Sequence, residues 1–294
     1  MYNSSSEQNT VIKATNIPKI PSSIITTGKV LQFIAPPLAT KFAIKLFGTP
    51  IRFKTPEREK MMANSAQKEF LFVPEINKNI MVYTYGYSKR KVLLIHGWSG
   101  RGTQLYKIAD KLLENGFMTI SFDGPAHGKS TGKTTMMSEF VIAAKSIEKK
   151  YGPFEIAIGH SLGGMAVLNG VKQGLKIKKA IIIGSGDIIT DIITDFVKKL
   201  ELKPEMVYRI KKLFYKKFGE SIDNYSASFA AKSLKIPTLV IHDTDDKDVP
   251  VSCAHNIRQS LEQGEILITK GLGHRRILKD NLVIQRIIEF INRE

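Results

Sequence analysis

Short apolar runs alternate with stretches of helical periodicity through most of the chain. The runs fall at 92–95, 118–122, 154–158, 180–183, 237–241 and 265–269. Each is too short for a helix, rich in β-branched residues, and closed by Gly, His or Asp, which is how strands buried on both faces of a parallel sheet read. Helices are predicted between them, near 103–115, 135–150, 162–174, 251–262 and 280–293. Regular strand–helix alternation implies crossover units and an α/β fold with a mostly parallel central sheet, helices on both faces. Two earlier segments, 69–73 and 79–85, flank a Pro/Asn turn and predict two more strands.

Two regions break the rhythm. Between the strands at 180–183 and 237–241 lie more than fifty residues without a strand signal. Within them, Met206, Ile210, Leu213, Phe214 and Phe218 share a helical spacing, with Arg209, Lys211, Lys212, Lys216 and Lys217 as basic positions. This predicts an amphipathic helix inserted into the α/β framework. The apolar side of helix 205–218 is expected to face a pocket or the sheet edge, and the basic side solvent. Ahead of the sheet, residues 1–23 are rich in Ser, Asn, Thr and Pro and read as a loose arm. Residues 24–66 predict one or two helices, including an amphipathic one near 38–47, broken at Thr49-Pro50 and Thr55-Pro56. The predicted organisation is a 1–66 arm and helical extension, then a 67–294 α/β domain with its insertion at about 187–232.

Composition narrows the classes. With 294 residues, 43% hydrophobic and 24% charged, the chain reads as an ordinary globular protein able to bury a sizeable core. The single cysteine, Cys253, excludes an internal disulfide framework and a Cys-based zinc or iron–sulfur site, and fits a reducing compartment. Residues 1–20 are polar, carry Glu7 early and lack an apolar core, so no secretory signal is expected; the stretch 24–47 is too interrupted to span a membrane. A cytoplasmic location is the expectation. Forty-four Lys and Arg against 27 Asp and Glu give a net charge of +17, a field that favours anionic partners. The basic residues are scattered, apart from pairs such as Lys198-Lys199, Lys211-Lys212 and Lys216-Lys217. That scatter argues for a solvated surface rather than a nucleic-acid groove, and leaves weak association with an anionic membrane surface open.

The sharpest chemical signal is Gly159-His160-Ser161-Leu162-Gly163, a G-x-S-x-G sequence after a predicted strand and at the start of a predicted helix. A serine on so sharp a turn needs uncrowded space, which glycines two before and two after provide. The helix N-terminus behind it offers free N–H groups and positive dipole to an oxyanion. Ser161 is therefore the candidate nucleophile. A serine nucleophile needs a general base, and the base an orienting acid. Of the six histidines, His274 stands on a loop after the last strand and is the candidate base. The acid should come from the segment 242–250, where Asp243, Asp245, Asp246 and Asp248 cluster. The second half of an oxyanion hole should follow the strand at 92–95, where His96-Gly97-Trp98-Ser99-Gly100 places the Trp98 amide to converge with that of Leu162. The Trp98 side chain either walls an acyl pocket or packs at the sheet edge.

These motifs, in this order, resemble the α/β-hydrolase superfamily over about 70–294: His96-Gly97-Trp98, Asp123-Gly-Pro-Ala-His127-Gly128, Gly-His-Ser161-Leu-Gly, His242 to Pro250, and Gly-His274. The family's H-G-x-x-D-x-x-V-P pattern places the acid at Asp246, with Asp243 standing where glycine is usual. The resemblance identifies the 187–232 insertion with the helical lid position. It implies a serine hydrolase acting on carboxylic esters or related acyl compounds through an acyl-enzyme, with no cofactor and no metal. The same triad also serves acyltransferases, thioesterases and serine peptidases. A non-catalytic membrane-surface binding protein is the alternative from another class. The segment 127–134 resembles a phosphate-binding loop but lacks its first glycine, so nucleotide binding is not expected. The acyl group, the leaving group and the oligomeric state are not readable from the sequence.

Overall fold

In the computed structural model, residues 20–293 are described. Residues 1–19, which hold most of the arm expected at 1–23 and nearly all of the polar stretch 1–20, lie outside them. The chain runs through helices α1 (Ser22–Ile34), α2 (Pro36–Phe47) and α3 (Lys60–Ser65), then strands β1 (Gln67–Val73), β2 (Lys78–Tyr85) and β3 (Lys91–Ile95). It continues through α4 (Tyr106–Glu114), β4 (Met118–Phe122), α5 (Met137–Tyr151), β5 (Ile156–His160), α6 (Leu162–Lys172) and β6 (Lys179–Ile183). Next come α7 (Ile189–Lys199), α8 (Glu205–Phe218), α9 (Ala227–Ala231), β7 (Thr238–Asp243), α10 (Ser252–Ser260), β8 (Gly264–Thr269), α11 (Gly273–Arg276) and α12 (Asn281–Asn292).

The strands form an eight-stranded sheet in the order β1-β2-β4-β3-β5-β6-β7-β8. β1 and β2 pair antiparallel, β2 joins β4 antiparallel, and the remaining pairings are parallel. Strand side chains alternate between two buried layers. Leu93 and Ile95 join the core under α5 and α6, whereas Val92 and Leu94 join the core under α4 and α12. Burial on both faces removes the polar half of the period-two pattern, which is why these strands read as continuous apolar runs.

Boundaries moved where burial and pairing part company. Phe154 is buried ahead of β5, and the strand itself runs to His160, so Ser161 follows it directly. β7 extends to Asp243, two residues past the apolar run, and thereby carries that carboxylate to the strand's end.

The insertion comprises α7, α8, a 3₁₀ turn at Ile222–Tyr225 and α9. Its apolar side, including Ile193, Val197, Met206 and Ile210, belongs to the same core as α5 and α6. The expected amphipathic division of 205–218 holds for its first half only. Met206 and Ile210 are buried, but Leu213 and Phe218 face outward along with Lys212, Lys216 and Lys217. The N-terminal helices pack on this insertion: Phe47 of α2 meets Phe196 of α7 edge to face at 5.2 Å, and the Lys203 amide donates to Gln32 Oε1 at 2.9 Å. Among the described residues no helix is long and apolar enough to cross a membrane.

Candidate active site

Ser161 occupies the turn from β5 into α6 with φ 54° and ψ −120°. A non-glycine residue at positive φ is strained, and such strain persists only where the surroundings hold it. Here the surroundings are close-packed backbone. A Cβ on Gly159 would fall 2.2 Å from the Gly163 carbonyl oxygen, and one on Gly163 would fall 2.1 Å from that of Ile95. The two glycines of the motif thus let α6 start directly against β3 and β5. The Ser161 amide donates to the Ile183 carbonyl at 2.9 Å, fixing the turn to the end of β6.

His274 and Asp246 meet on the neighbouring strand ends. His274 Nδ1 lies 2.7 Å from Asp246 Oδ2, and the Asp246 side chain is buried. Its other oxygen accepts the amides of Asp248 and Val249 at 2.8 and 2.9 Å. Burial alone would raise the Asp246 pKa, but the His274 bond and charge with these amides outweigh it, and the carboxyl is held below its ordinary range. With the carboxylate ionised and able only to accept, Nδ1 of His274 is the donor of this bond. Ser161 Oγ makes no hydrogen bond to His274 among the described residues. Catalytic hydrogen bonds in unliganded sites are commonly long and close on substrate binding. Both groups border the turn after β6: the Ser161 amide is bound to Ile183, and a Cβ on the next residue, Gly184, would lie 3.3 Å from His274 Nδ1.

Asp243 has a different position from the one its place in the acidic cluster suggested. Its carboxylate accepts from the Thr269 hydroxyl at 2.7 Å and from the amides of Gly273, Asp245 and Leu272 at 2.8, 2.9 and 3.0 Å. It ties the loop bearing His274 to the end of β7. Burial raises its pKa, and these donors more than reverse that, leaving it lowered.

The loop after β3 lies against the serine, since a Cβ on Gly97 would sit 2.9 Å from Ser161 Cβ. No hydrogen bond among the described residues uses the amide of Trp98 or Leu162. Two buried histidines hold this loop to the turn after β4. His127 Nε2 accepts the Ser99 amide at 3.0 Å, and Nδ1 donates to the Pro125 carbonyl at 2.9 Å. His96 Nε2 accepts the Gly124 amide at 2.8 Å while Nδ1 donates to Gly97 O at 2.7 Å. Each ring must therefore be neutral, with one nitrogen accepting. The Trp98 side chain is partly exposed and stands edge-on to His127 at 5.2 Å.

Burial pushes His96 down from 6.5 to about 4, and burial with the neighbouring His96 pushes His127 to about 3. These neutral rings make stability fall on acidification. The unfolded chain takes up protons as pH falls through 6.5, and the folded chain does not until about 4 or below. Stability is therefore full above 6.5 and lost between there and about 4 for His96 and about 3 for His127. From pH 7 to pH 5 the loss is about 2 kcal/mol per ring, and His160 and His242 are shifted the same way. Urea unfolding at the two pH values measures it; equal stabilities would mean that the rings are solvated or charged in the native state.

The chain between α2 and α3 adds a clamp that has no periodicity to reveal it. Arg52 donates through Nε to Ala126 O at 2.9 Å and through Nη2 to Ser130 O and Gly132 O at 2.8 and 2.9 Å. The Ile51 amide donates to Ser99 Oγ at 3.0 Å. Glu59, buried, accepts from Arg101 at 2.9 Å and from Thr103 at 2.8 Å. The segment 127–134, which resembled a phosphate-binding loop, opens no helix, the next one starting only at Met137, and instead encloses Asp123, whose Oδ2 accepts the Lys129 amide at 2.7 Å. Arg52→Ala should cost about 2 kcal/mol of stability by orphaning these carbonyls. It should also lower kcat more than it raises KM, because the Trp98 amide loses its alignment. Urea unfolding and steady-state kinetics on one preparation check both; a variant with wild-type values would show that the clamp is idle.

Among the described residues no group of three or more His, Cys, Asp or Glu side chains is placed to hold a metal ion. A family model described as the alpha/beta hydrolase family matches residues 92–281. A 2-hydroxy-6-oxononadienedioate/2-hydroxy-6-oxononatrienedioate hydrolase of Escherichia coli K12 is 22% identical, covering 71% of this chain and 90% of that protein. An esterase of Pyrococcus furiosus superposes with a TM-score of 0.64 at 20% identity, covering 83% of this chain and 98% of that one. An esterase of Exiguobacterium antarcticum gives 0.60 at 15% identity, covering 77% and 100%. At these identities the solved structures share the fold.

Proposed function

The chain belongs to the alpha/beta hydrolase family, and from that premise we propose that it is a serine hydrolase cleaving carboxylic esters or related acyl compounds. The observation that carries this reading is Ser161 held at positive φ on the β5–α6 turn, bordered by a histidine whose Nδ1 lies 2.7 Å from a buried carboxylate. In the proposed reaction Ser161 Oγ attacks the acyl carbon and its proton passes to His274 Nε2. Asp246 holds the Nδ1 proton and offsets the imidazolium charge. The amides of Trp98 and Leu162 receive the oxyanion. His274 then gives its proton to the leaving alkoxide, and the acyl-enzyme forms. Water, deprotonated by the same nitrogen, attacks the acyl carbon, and Ser161 leaves with that proton. The esterases among the structural neighbours and the hydrolase from Escherichia coli are in keeping with bond cleavage by water.

The insertion enters this proposal as a lid, with residues 67–294 as the hydrolase domain and the preceding helices as an extension packed on the lid. It leaves the sheet after β6, at the strand end that borders Ser161, and rejoins it at the start of β7, beside Ala180 at the other end of β6. A lid that excludes water would strengthen the oxyanion contacts and favour apolar acyl chains of medium length.

A panel of p-nitrophenyl esters from acetate to palmitate, beside aminoacyl-nitroanilides, tests the reading. Turnover of esters, strongest at intermediate chain length, is expected. Turnover of the anilides alone would move the assignment to a peptidase, and turnover of neither would remove it.

A further inference from the structure

The two N-terminal helices meet at a corner made by one residue, Ala35. The outside of that corner is apolar. Phe33 is 88% exposed, Ile34 67%, Leu38 54% and Val30 51%. Val30, Phe33 and Ile34 follow the i, i+3, i+4 spacing of one helix face, so they stand together. Neither helix contains an acidic residue, and Lys41 and Lys45 face solvent on α2.

α8 lies beside α2. Its outer side presents Tyr208, Tyr215 and Phe218 among exposed Lys212, Lys216 and Lys217, with Glu205 its one acid. Lys212 stands over the Tyr208 ring at 5.9 Å and Lys217 over Phe218 at 5.0 Å.

We propose that the α1–α2 corner and the outer side of α8 dock together on the surface of an anionic lipid bilayer. Charge selects the partner. A second copy of the chain would bring the same basic face against itself, with no acid on α1 or α2 to meet it. A nucleic acid would satisfy the lysines but leave Phe33, Ile34 and Leu38 in water. A bilayer takes both: the apolar tips enter the boundary of the acyl region, while Tyr and Lys sit at the headgroups with their stems along the apolar surface. Basic side chains near an anionic leaflet add attraction that falls off within a Debye length. Docked this way, the molecule would keep its insertion next to the lipid.

This inference stands apart from the hydrolase reading, because it is tested by binding alone. The full chain is sedimented with vesicles of phosphatidylcholine, or of phosphatidylcholine with about 30 mol % phosphatidylglycerol, at about 50 and about 300 mM salt. The wild type should partition about tenfold more onto the anionic vesicles and lose that preference at the higher salt. The double variant Phe33→Ser, Ile34→Ser and the triple variant Lys212→Gln, Lys216→Gln, Lys217→Gln should each lose about tenfold in partition. Their thermal melts should match the wild type, since the changed side chains are exposed. Three outcomes would overturn the proposal: no anionic preference in the wild type, full binding by both variants, or a concentration-dependent dimer that the Phe33/Ile34 variant abolishes. Binding to a duplex oligonucleotide that survives the Phe33/Ile34 change, without vesicle binding, would give the face to nucleic acid instead.

Discussion

Ser161→Ala is expected to lower kcat by about 10⁴-fold or more, a loss of roughly 5 kcal/mol of transition-state stabilisation. The substitution removes the atom that bonds to the acyl carbon while leaving the amides of Trp98 and Leu162 in place. Residual turnover above that of water alone should therefore persist, from binding and oxyanion contacts. KM should change little, since Oγ makes no contact that a bound ester needs before attack. A fluorophosphonate probe gives the cleaner readout, because it reports the covalent step without a choice of substrate. Wild type should be labelled and the alanine variant spared. Equal labelling of both would place the reactive hydroxyl elsewhere and remove Ser161 from the mechanism. The variant should fold, because Ser161 is held by its backbone and Oγ makes no hydrogen bond to a described residue. Alanine at φ 54° meets the strain that serine already carries there.

The parallel strands were legible because burial on both faces leaves a composition signal that needs no partner to interpret. The turn at Ser161 was legible because a residue type marks it: glycines stand two before and two after the serine, where a Cβ on Gly159 would meet Gly163 and one on Gly163 would meet Ile95. What the sequence concealed depends on distant acceptors. Arg52 looks like any surface arginine until the turn 126–132 brings three carbonyls to it, and a carbonyl has no residue type to recognise. Periodicity also overstated the burial of α8, whose last turns carry apolar side chains into solvent as the helix runs past the core. The same holds for Leu38, at the start of the amphipathic stretch expected near 38–47, which the folded chain leaves exposed.

The acidic cluster is where sequence and geometry must be read together, and it sets the second large expectation. Asp246→Asn is expected to lower kcat by about 10³- to 10⁴-fold, since an amide neither holds the histidine in its Nδ1–H tautomer nor offsets the imidazolium charge. The Val249 and Asp248 amides bind Oδ1, so an asparagine oxygen there would retain both bonds and the fold. Its NH₂ group would then face His274 Nδ1, forcing that nitrogen to accept and the proton onto Nε2, the wrong side for a base. Stability should consequently change far less than rate. Asp243 predicts the reverse division. Its carboxylate gathers four donors, the Leu272 and Gly273 amides of the loop that carries His274, the Thr269 hydroxyl at the end of β8 and the Asp245 amide, so Asp243→Asn should lower the melting temperature along with activity. Thermal melts and kcat measured on both variants separate the two roles. If Asp246→Asn kept near wild-type kcat while Asp243→Asn lost it without loss of stability, Asp243 would have to be the acid, and the 2.7 Å contact between Asp246 and His274 would be structural only.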